Sequence, residues 1–151
     1  MKYYIDTSVL GGYWSKTFAE DTIAFFEYVK NSNSELLYSD LVEQELEKAP
    51  KRVRELLKET AASQDIRLGF VNMSHQAEAL AERYIEEGAL TEKSRNDAKH
   101  IALATTHGVS ALVSWNFKHM VNFIRIRHYN SINIRLGYNT IDIRSPKEVI
   151  P

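Results

Sequence analysis

Residues 1–12 read MKYYIDTSVLGG. The apolar run Tyr3-Tyr4-Ile5 stops at a carboxylate, Asp6, followed by two hydroxyls, Thr7 and Ser8. A short apolar run bounded by turn-forming residues reads as a buried strand. The Asp-Thr-Ser that closes it has two readings. It is either a strand-to-helix turn whose side chains bond the local backbone, or one wall of a charged site. Gly11-Gly12 reads as a loop or hinge.

Working outward, the rest of the chain alternates in the same way. Ile23, Phe26 and Val29 have helical spacing from Asp21 onward, and NSNS (31–34) ends that helix. ELLYS (35–39) is a second short strand. A helix from Asp40 to Ala49 follows, with Leu41, Val42 and Leu46 on one side, and Pro50 interrupts it. Val53, Leu56 and Leu57 mark a further helix, and IRLGFVNM (66–73) a short extended segment. Ser74 caps a helix striped by Ala77, Leu80, Ala81, Tyr84 and Ile85, with Gly88 past its end. Asn96 is placed to cap a helix from Asp97 to His107, with Ile101 and Ala104 inward and Gly108 as terminator. SALVSW (110–115) is a clear strand, 119–137 a helix plus loop, and YNTIDI (138–143) a final strand closed by SPKEVI. Short apolar strands alternating with helices predict an α/β fold with a parallel sheet covered on both sides. In such folds, sites gather beyond the carboxyl ends of the strands.

With 151 residues, 44% hydrophobic and 26% charged, the chain fits one globular domain spanning 1–151. The absence of cysteine excludes disulfides, zinc-thiolate sites and cysteine nucleophiles. The apolar runs are far shorter than the roughly 20 residues that span a bilayer. The first ten residues lack the long apolar core of a signal peptide. The expected compartment is the cytoplasm, with no membrane partner. Net charge is −1, but residues 20–95 carry a net −6 and residues 96–145 a net +4. That basic third is either a polyanion surface or an ordinary solvated face.

Placed on this scheme, Asp6 ends the first strand, Glu45 sits on the helix after the second, and Asp97 starts the helix leading into SALVSW. Asn116 directly follows that strand. Clustered carboxylates disfavour one another's ionisation, and a hard divalent cation such as Mg²⁺ or Mn²⁺ relieves that with oxygen ligands. Each residue also has a plain alternative: turn, solvated helix face, or helix-dipole partner. His75, His100, His107, His119 and His128 lack H-E-x-x-H spacing, which disfavours a zinc hydrolase. No P-loop or G-x-G-x-x-G occurs.

YYIDTSVL, YSDLVEQEL, NDAKHIALATTHGVSALVSWNFKHM and IDIRSPKEVI, taken in order, resemble the PIN-domain nucleases. They look most like the VapC-type toxins of type II toxin–antitoxin systems. The resemblance runs from Tyr4 to Ile150 and implies a three-layer α/β/α domain with a central, mainly parallel sheet. It implies Asp6, Glu45 and Asp97 as metal ligands and catalytic residues. Ser39 sets the register, six residues before Glu45, which selects Glu45 over Glu43. Asn116 is implied as the fourth catalytic and metal-site residue; it stands where an Asp is often found, so the site has one negative charge fewer. Thr7, Ser8, Lys118 and His119 are implied as substrate contacts, with Thr7 or Ser8 also able to orient Asp6. The implied activity is Mg²⁺- or Mn²⁺-dependent hydrolysis of RNA, in which the ion polarises the phosphate and lowers the pKa of a water. The implied partners are an RNA substrate, a cognate antitoxin protein and a second copy in a homodimer. Phe25, Phe26, Leu56 and Leu57 are either a docking face for such a partner or core. The alternatives are a housekeeping RNA-processing nuclease without antitoxin, and a degenerate domain that binds RNA or protein without cutting.

Overall fold

A computed structural model describes residues 1–151. In chain order the elements are β1 (Lys2–Ile5), α1 (Thr7–Gly12), α2 (Ala19–Asn31), β2 (Glu35–Ser39), α3 (Asp40–Leu46), α4 (Lys51–Ser63) and β3 (Arg67–Val71). They continue with α5 (His75–Glu86), α6 (Arg95–Thr106), β4 (Ala111–Val113), α7 (Phe123–Arg135), β5 (Ile143–Arg144) and α8 (Pro146–Val149). The five strands form one sheet in the order β3-β2-β1-β4-β5, and every pairing is parallel.

Strand alternation divides the core in two. Tyr3, Ile5, Leu36, Ala111 and Val113 point to one face, where α1 to α4 supply Val9, Leu10, Phe25, Val29, Val42, Leu46, Val53 and Leu57. Tyr4, Leu37 and Leu112 point to the other, against Leu80 and Tyr84 of α5, Ile101 and Leu103 of α6, and Tyr129 and Ile132 of α7. The result is three layers, α/β/α. Burial on both faces is why the strands read as apolar runs rather than alternating patterns.

The caps explain most boundaries. Ser39 accepts from the Val42 amide, Ser74 from Ala77 and Asn122 from Arg125. Ser145 and Glu148 form a reciprocal capping box that starts α8. Gly88 and Gly108 end α5 and α6 with φ of +78° and +59°, a conformation that favours glycine.

Several sequence expectations need correction. Gly11 and Gly12 are the last turn of α1, not a loop. Gly12 is needed for close approach: a Cβ there would sit 2.6 Å from Trp115 Nε1 and 2.7 Å from Thr22 Oγ1. Asn96 does not cap α6. A short 3-10 turn, Glu92–Ser94, leads in, and the helix begins at Arg95. The helix after β2 stops at Leu46 rather than Ala49. The final strand is reduced to Ile143–Arg144. Ile23 is exposed, and Thr22, Phe25, Phe26 and Val29 form the buried face of α2 instead. Phe25, Phe26 and Leu57 are core, so they offer no docking face; Leu56 is half-buried. No helix is long and apolar enough to cross a membrane.

Candidate active site

The chain runs β1, β2, β3 outward on one side of the sheet, then returns to add β4 and β5 on the other side of β1. The reversal lies between β1 and β4, the place where open α/β sheets in general form a crevice beyond the carboxyl ends of their strands. Ile5 pairs with Val113, so Asp6 and Ser114 are the next residues on adjacent strands. The Asp6 amide donates to the Val113 carbonyl at 3.3 Å.

Asp6 is 5% exposed, and three donors hold it. Its Oδ1 accepts from the Ser8 amide (3.1 Å) and the Ser8 hydroxyl (2.5 Å). Its Oδ2 accepts from the Ser114 hydroxyl (2.5 Å). Ser8 Oγ in turn accepts from the Trp115 amide, and Ser114 Oγ from the Asn116 amide. The start of α1 and the loop after β4 are thereby tied together through hydroxyls. Burial pushes the Asp6 carboxyl above its ordinary pKa, and the negative charge of Asp97 adds to the rise.

Glu45 approaches from the last turn of α3. Its Oε1 accepts from Thr7 Oγ1 at 2.9 Å and faces His100 Nε2 at 2.6 Å. Burial alone would raise its pKa, but the interactions with His100 and Thr7 hold it below the ordinary value. Asp97, in the first turn of α6, faces His119 Nδ1 through Oδ2 at 2.9 Å. The same oxygen accepts a long hydrogen bond from Asn116 Nδ2 at 3.5 Å. Asn116 Oδ1 accepts the Lys118 and His119 amides, at 3.1 and 3.0 Å, and so folds its own loop.

The expected residues thus reach one end of the sheet, in a more differentiated arrangement than the sequence suggests. No three His, Asp or Glu side chains form a group that could hold a metal ion in this arrangement. Each carboxylate is instead engaged by protein donors. Thr7 serves Glu45 and Ser8 serves Asp6, so both hydroxyls are committed to orienting carboxylates. His119 is turned onto Asp97. The Lys118 side chain is exposed and has no carboxylate partner. Of the other C-terminal cations, Arg135 pairs with Glu87 and Arg144 with Asp142. The guanidinium of Arg127 lies over the exposed Phe123 ring.

Sequence reasoning missed His100 and Ser114. The available signal for His100 was its place three residues after Asp97, between the apolar Ala98 and Ile101 of the same helix. Ser114 had none, because only strand register brings it to Asp6.

The donor chemistry fits a hard divalent cation: three carboxylates, one amide, no thiolate. The mutual repulsion of Asp6 and Asp97 is the penalty such an ion removes. Asn116 allows a direct check. Asn116→Asp keeps an oxygen to accept the two backbone amides, loses the donor to Asp97 and sets a second carboxylate beside it. Mn²⁺ binding followed by calorimetry is expected to tighten by roughly threefold or more. Unchanged or weaker binding would place residue 116 outside the metal's reach.

A family model for the PIN domain matches residues 3–117, a span that includes Asp6, Glu45, Asp97 and Asn116. The chain belongs to the PIN-domain family. No curated protein matches it in sequence. Among solved structures, this PIN domain is similar to VapBC2 from Rickettsia felis bound to a fragment of its promoter DNA. The TM-score there is 0.62 at 16% identity, over 96% of this chain and 98% of that one. It is also similar to FitAcB from Neisseria gonorrhoeae, with a TM-score of 0.58 at 13% identity over 95% and 97% of the two chains. VapC20 from Mycobacterium tuberculosis, described as a sarcin–ricin loop cleaving toxin, has a TM-score of 0.55 at 14% identity over 78% and 92%. At these identities the shared property is the fold.

Proposed function

We propose that the chain is a Mg²⁺- or Mn²⁺-dependent endoribonuclease, a single domain over residues 1–151, and the toxin of a type II toxin–antitoxin pair. The observation that carries this reading is the buried Asp6 at the β1/β4 crevice, electrostatically coupled to Asp97 within the span matched by the PIN family. Similarity to a toxin that cleaves the sarcin–ricin loop supports RNA as the substrate. Similarity to VapBC and FitAB assemblies supports a cognate antitoxin.

Asp6, Asp97, Glu45 and Asn116 would hold the ion. When bound, it supplies charge neutralisation at the phosphate and a more acidic water. The chain's own contribution is orientation. Ser8 and Ser114 fix both oxygens of Asp6, and Thr7 with His100 fixes Glu45. Lys118, beside Asn116 and without a carboxylate partner, is suited to a substrate phosphate.

A second reading is an RNA-binding PIN domain that does not cut. One observation favours it: the Asn116 oxygen is spent on its own loop. A single assay separates the two. Purified protein is incubated with total RNA and single-stranded oligonucleotides in Mg²⁺, Mn²⁺ or EDTA. Metal-dependent cleavage that disappears in Asp97→Asn is the expected result. RNA retention without any cleavage would establish the second reading instead.

A further inference from the structure

Tyr4, Ser39, His100 and Glu45 come from four different elements and make one continuous hydrogen-bonded chain. Tyr4, Ser39 and His100 are 0%, 0% and 2% exposed. The Val42 amide, in the first turn of α3, donates to Ser39 Oγ at 3.4 Å. Ser39 Oγ lies 2.7 Å from Tyr4 Oη, and Tyr4 Oη lies 2.7 Å from His100 Nδ1. His100 Nε2 reaches Glu45 Oε1 at 2.6 Å, back at the other end of α3.

One direction of donation satisfies every member. A carboxylate only accepts, so His100 Nε2 carries the proton it shares with Glu45. Nδ1 is then the acceptor for the Tyr4 hydroxyl. Tyr4 accepts from Ser39, and Ser39 accepts from the Val42 amide. No buried side-chain polar atom is left without a partner. Such a network is costly to leave half-made, because each orphaned group keeps its desolvation penalty.

The outcome for Glu45 is asymmetric. His100 and Thr7 both engage Oε1, so Oε2 has no protein donor. We propose that His100 is a positioning residue: backed by Tyr4 and Ser39, it fixes the Glu45 carboxylate so that Oε2 faces the site as the free ligand atom. Its consequence for catalysis rests on the nuclease reading above; its geometry does not. Ser39 therefore has two duties, as the cap of α3 and as the anchor of the chain that holds the Glu45 carboxylate.

The test compares purified wild type with His100→Leu, His100→Gln and Tyr4→Phe. Gln keeps a donor and an acceptor on a side chain of similar reach, whereas Leu fills the space and keeps neither. Circular dichroism and thermal melts first establish folding. In His100→Leu, Mn²⁺ affinity and kcat on an RNA oligonucleotide are expected to fall about 10–100-fold, with KM changed by no more than about twofold. His100→Gln should recover most of the loss, and Tyr4→Phe should fall between. Crystal structures should show the Glu45 carboxylate displaced from Thr7 in His100→Leu and retained in His100→Gln. Wild-type Mn²⁺ affinity in folded His100→Leu, equal damage from Gln and Leu, or an unmoved Glu45 would each overturn the proposal. If His100→Leu does not fold, Tyr4→Phe with wild-type affinity and kcat does so. A wild type that cuts no RNA would sink the nuclease reading, while the Glu45 position in the crystals still decides this one.

Discussion

Asp6→Asn is expected to lose metal-dependent RNA cleavage by about a thousandfold or more while its metal-free form melts at a higher temperature. The two effects have one cause. Asp6 is buried beside Asp97, and its pKa is raised in the folded protein. The folded state therefore binds a proton more readily than the unfolded chain. Stability falls as pH climbs from the ordinary carboxylate range through that raised value, and the penalty is fully present only above it. Asparagine is nearly isosteric and carries no charge, so the penalty vanishes. Each kcal/mol recovered raises Tm by about 2–4 °C in a chain of this size. The Ser8 and Ser114 hydroxyls can reorient toward the amide, which limits the cost of losing an acceptor. The measurement is a thermal melt at pH 7 in EDTA, paired with an Mn²⁺ cleavage assay on the same preparation. A variant that melts lower, or still cuts, would show that Asp6 is structural rather than a strained ligand. Adding Mn²⁺ should raise Tm in the wild type and not in the variant.

Gly12→Ala carries the largest expected stability loss. Alanine is the better helix former, by up to about 1 kcal/mol. Here that gain is outweighed, because the new methyl would meet Trp115 Nε1 at 2.6 Å and Thr22 Oγ1 at 2.7 Å. Those two atoms are hydrogen bonded to each other at 2.9 Å, and the Trp115 ring is stacked on Phe18 with centroids 4.1 Å apart. Neither has a free direction in which to retreat. Overpacking of this kind costs about 1–3 kcal/mol, and loss of a buried hydrogen bond adds to it. A Tm decrease of about 5–10 °C in a thermal melt is expected. The damage should also reach the site, because the Trp115 amide donates to the same Ser8 hydroxyl that holds Asp6. Weaker Mn²⁺ binding should accompany the lower Tm. A neutral or stabilising Gly12→Ala would mean that Trp115 can shift freely.

What the sequence made legible was set by local chemistry. The strands around Tyr4, Leu36 and Leu112 stood out because a doubly covered parallel strand is a dense apolar run. Ser74 announced its helix because an N-cap acts within three residues. Asp6 and Asp97 could be placed beside one another because each lies at the end of an element, whereas Glu45 was singled out from Glu43 only by the family resemblance, through Ser39 six residues before it. What stayed hidden depends on contacts between distant segments. Gly12 read as a hinge because its packing against Trp115 involves a residue about a hundred positions away. Asn96 was mistaken for a cap because nothing local reveals the 3-10 turn Glu92–Ser94 that leads into α6 and starts it two residues earlier. Thr7 and Ser8 were read as able either to orient Asp6 or to meet a phosphate; Ser8 does hold Asp6, while Thr7 is turned onto Glu45, which only the fold brings near. His100 looked like one of five scattered histidines until Tyr4 and Glu45 arrived on either side of its ring.

The hydroxyl ties between the start of α1 and the loop after β4 also bear on the order in which the protein is made. Asp6 is translated well before its Ser114 donor, which comes 108 positions later. The Trp115 amide that fixes Ser8 is 107 positions away. Contacts this remote form late, after loop closure has been paid for. A nascent chain that has not reached Asn116 holds its first acid with no opposite wall to the crevice. On the ribonuclease reading proposed above, the protein would be harmless while it is still being translated, and would become competent only when its last core strands join the sheet.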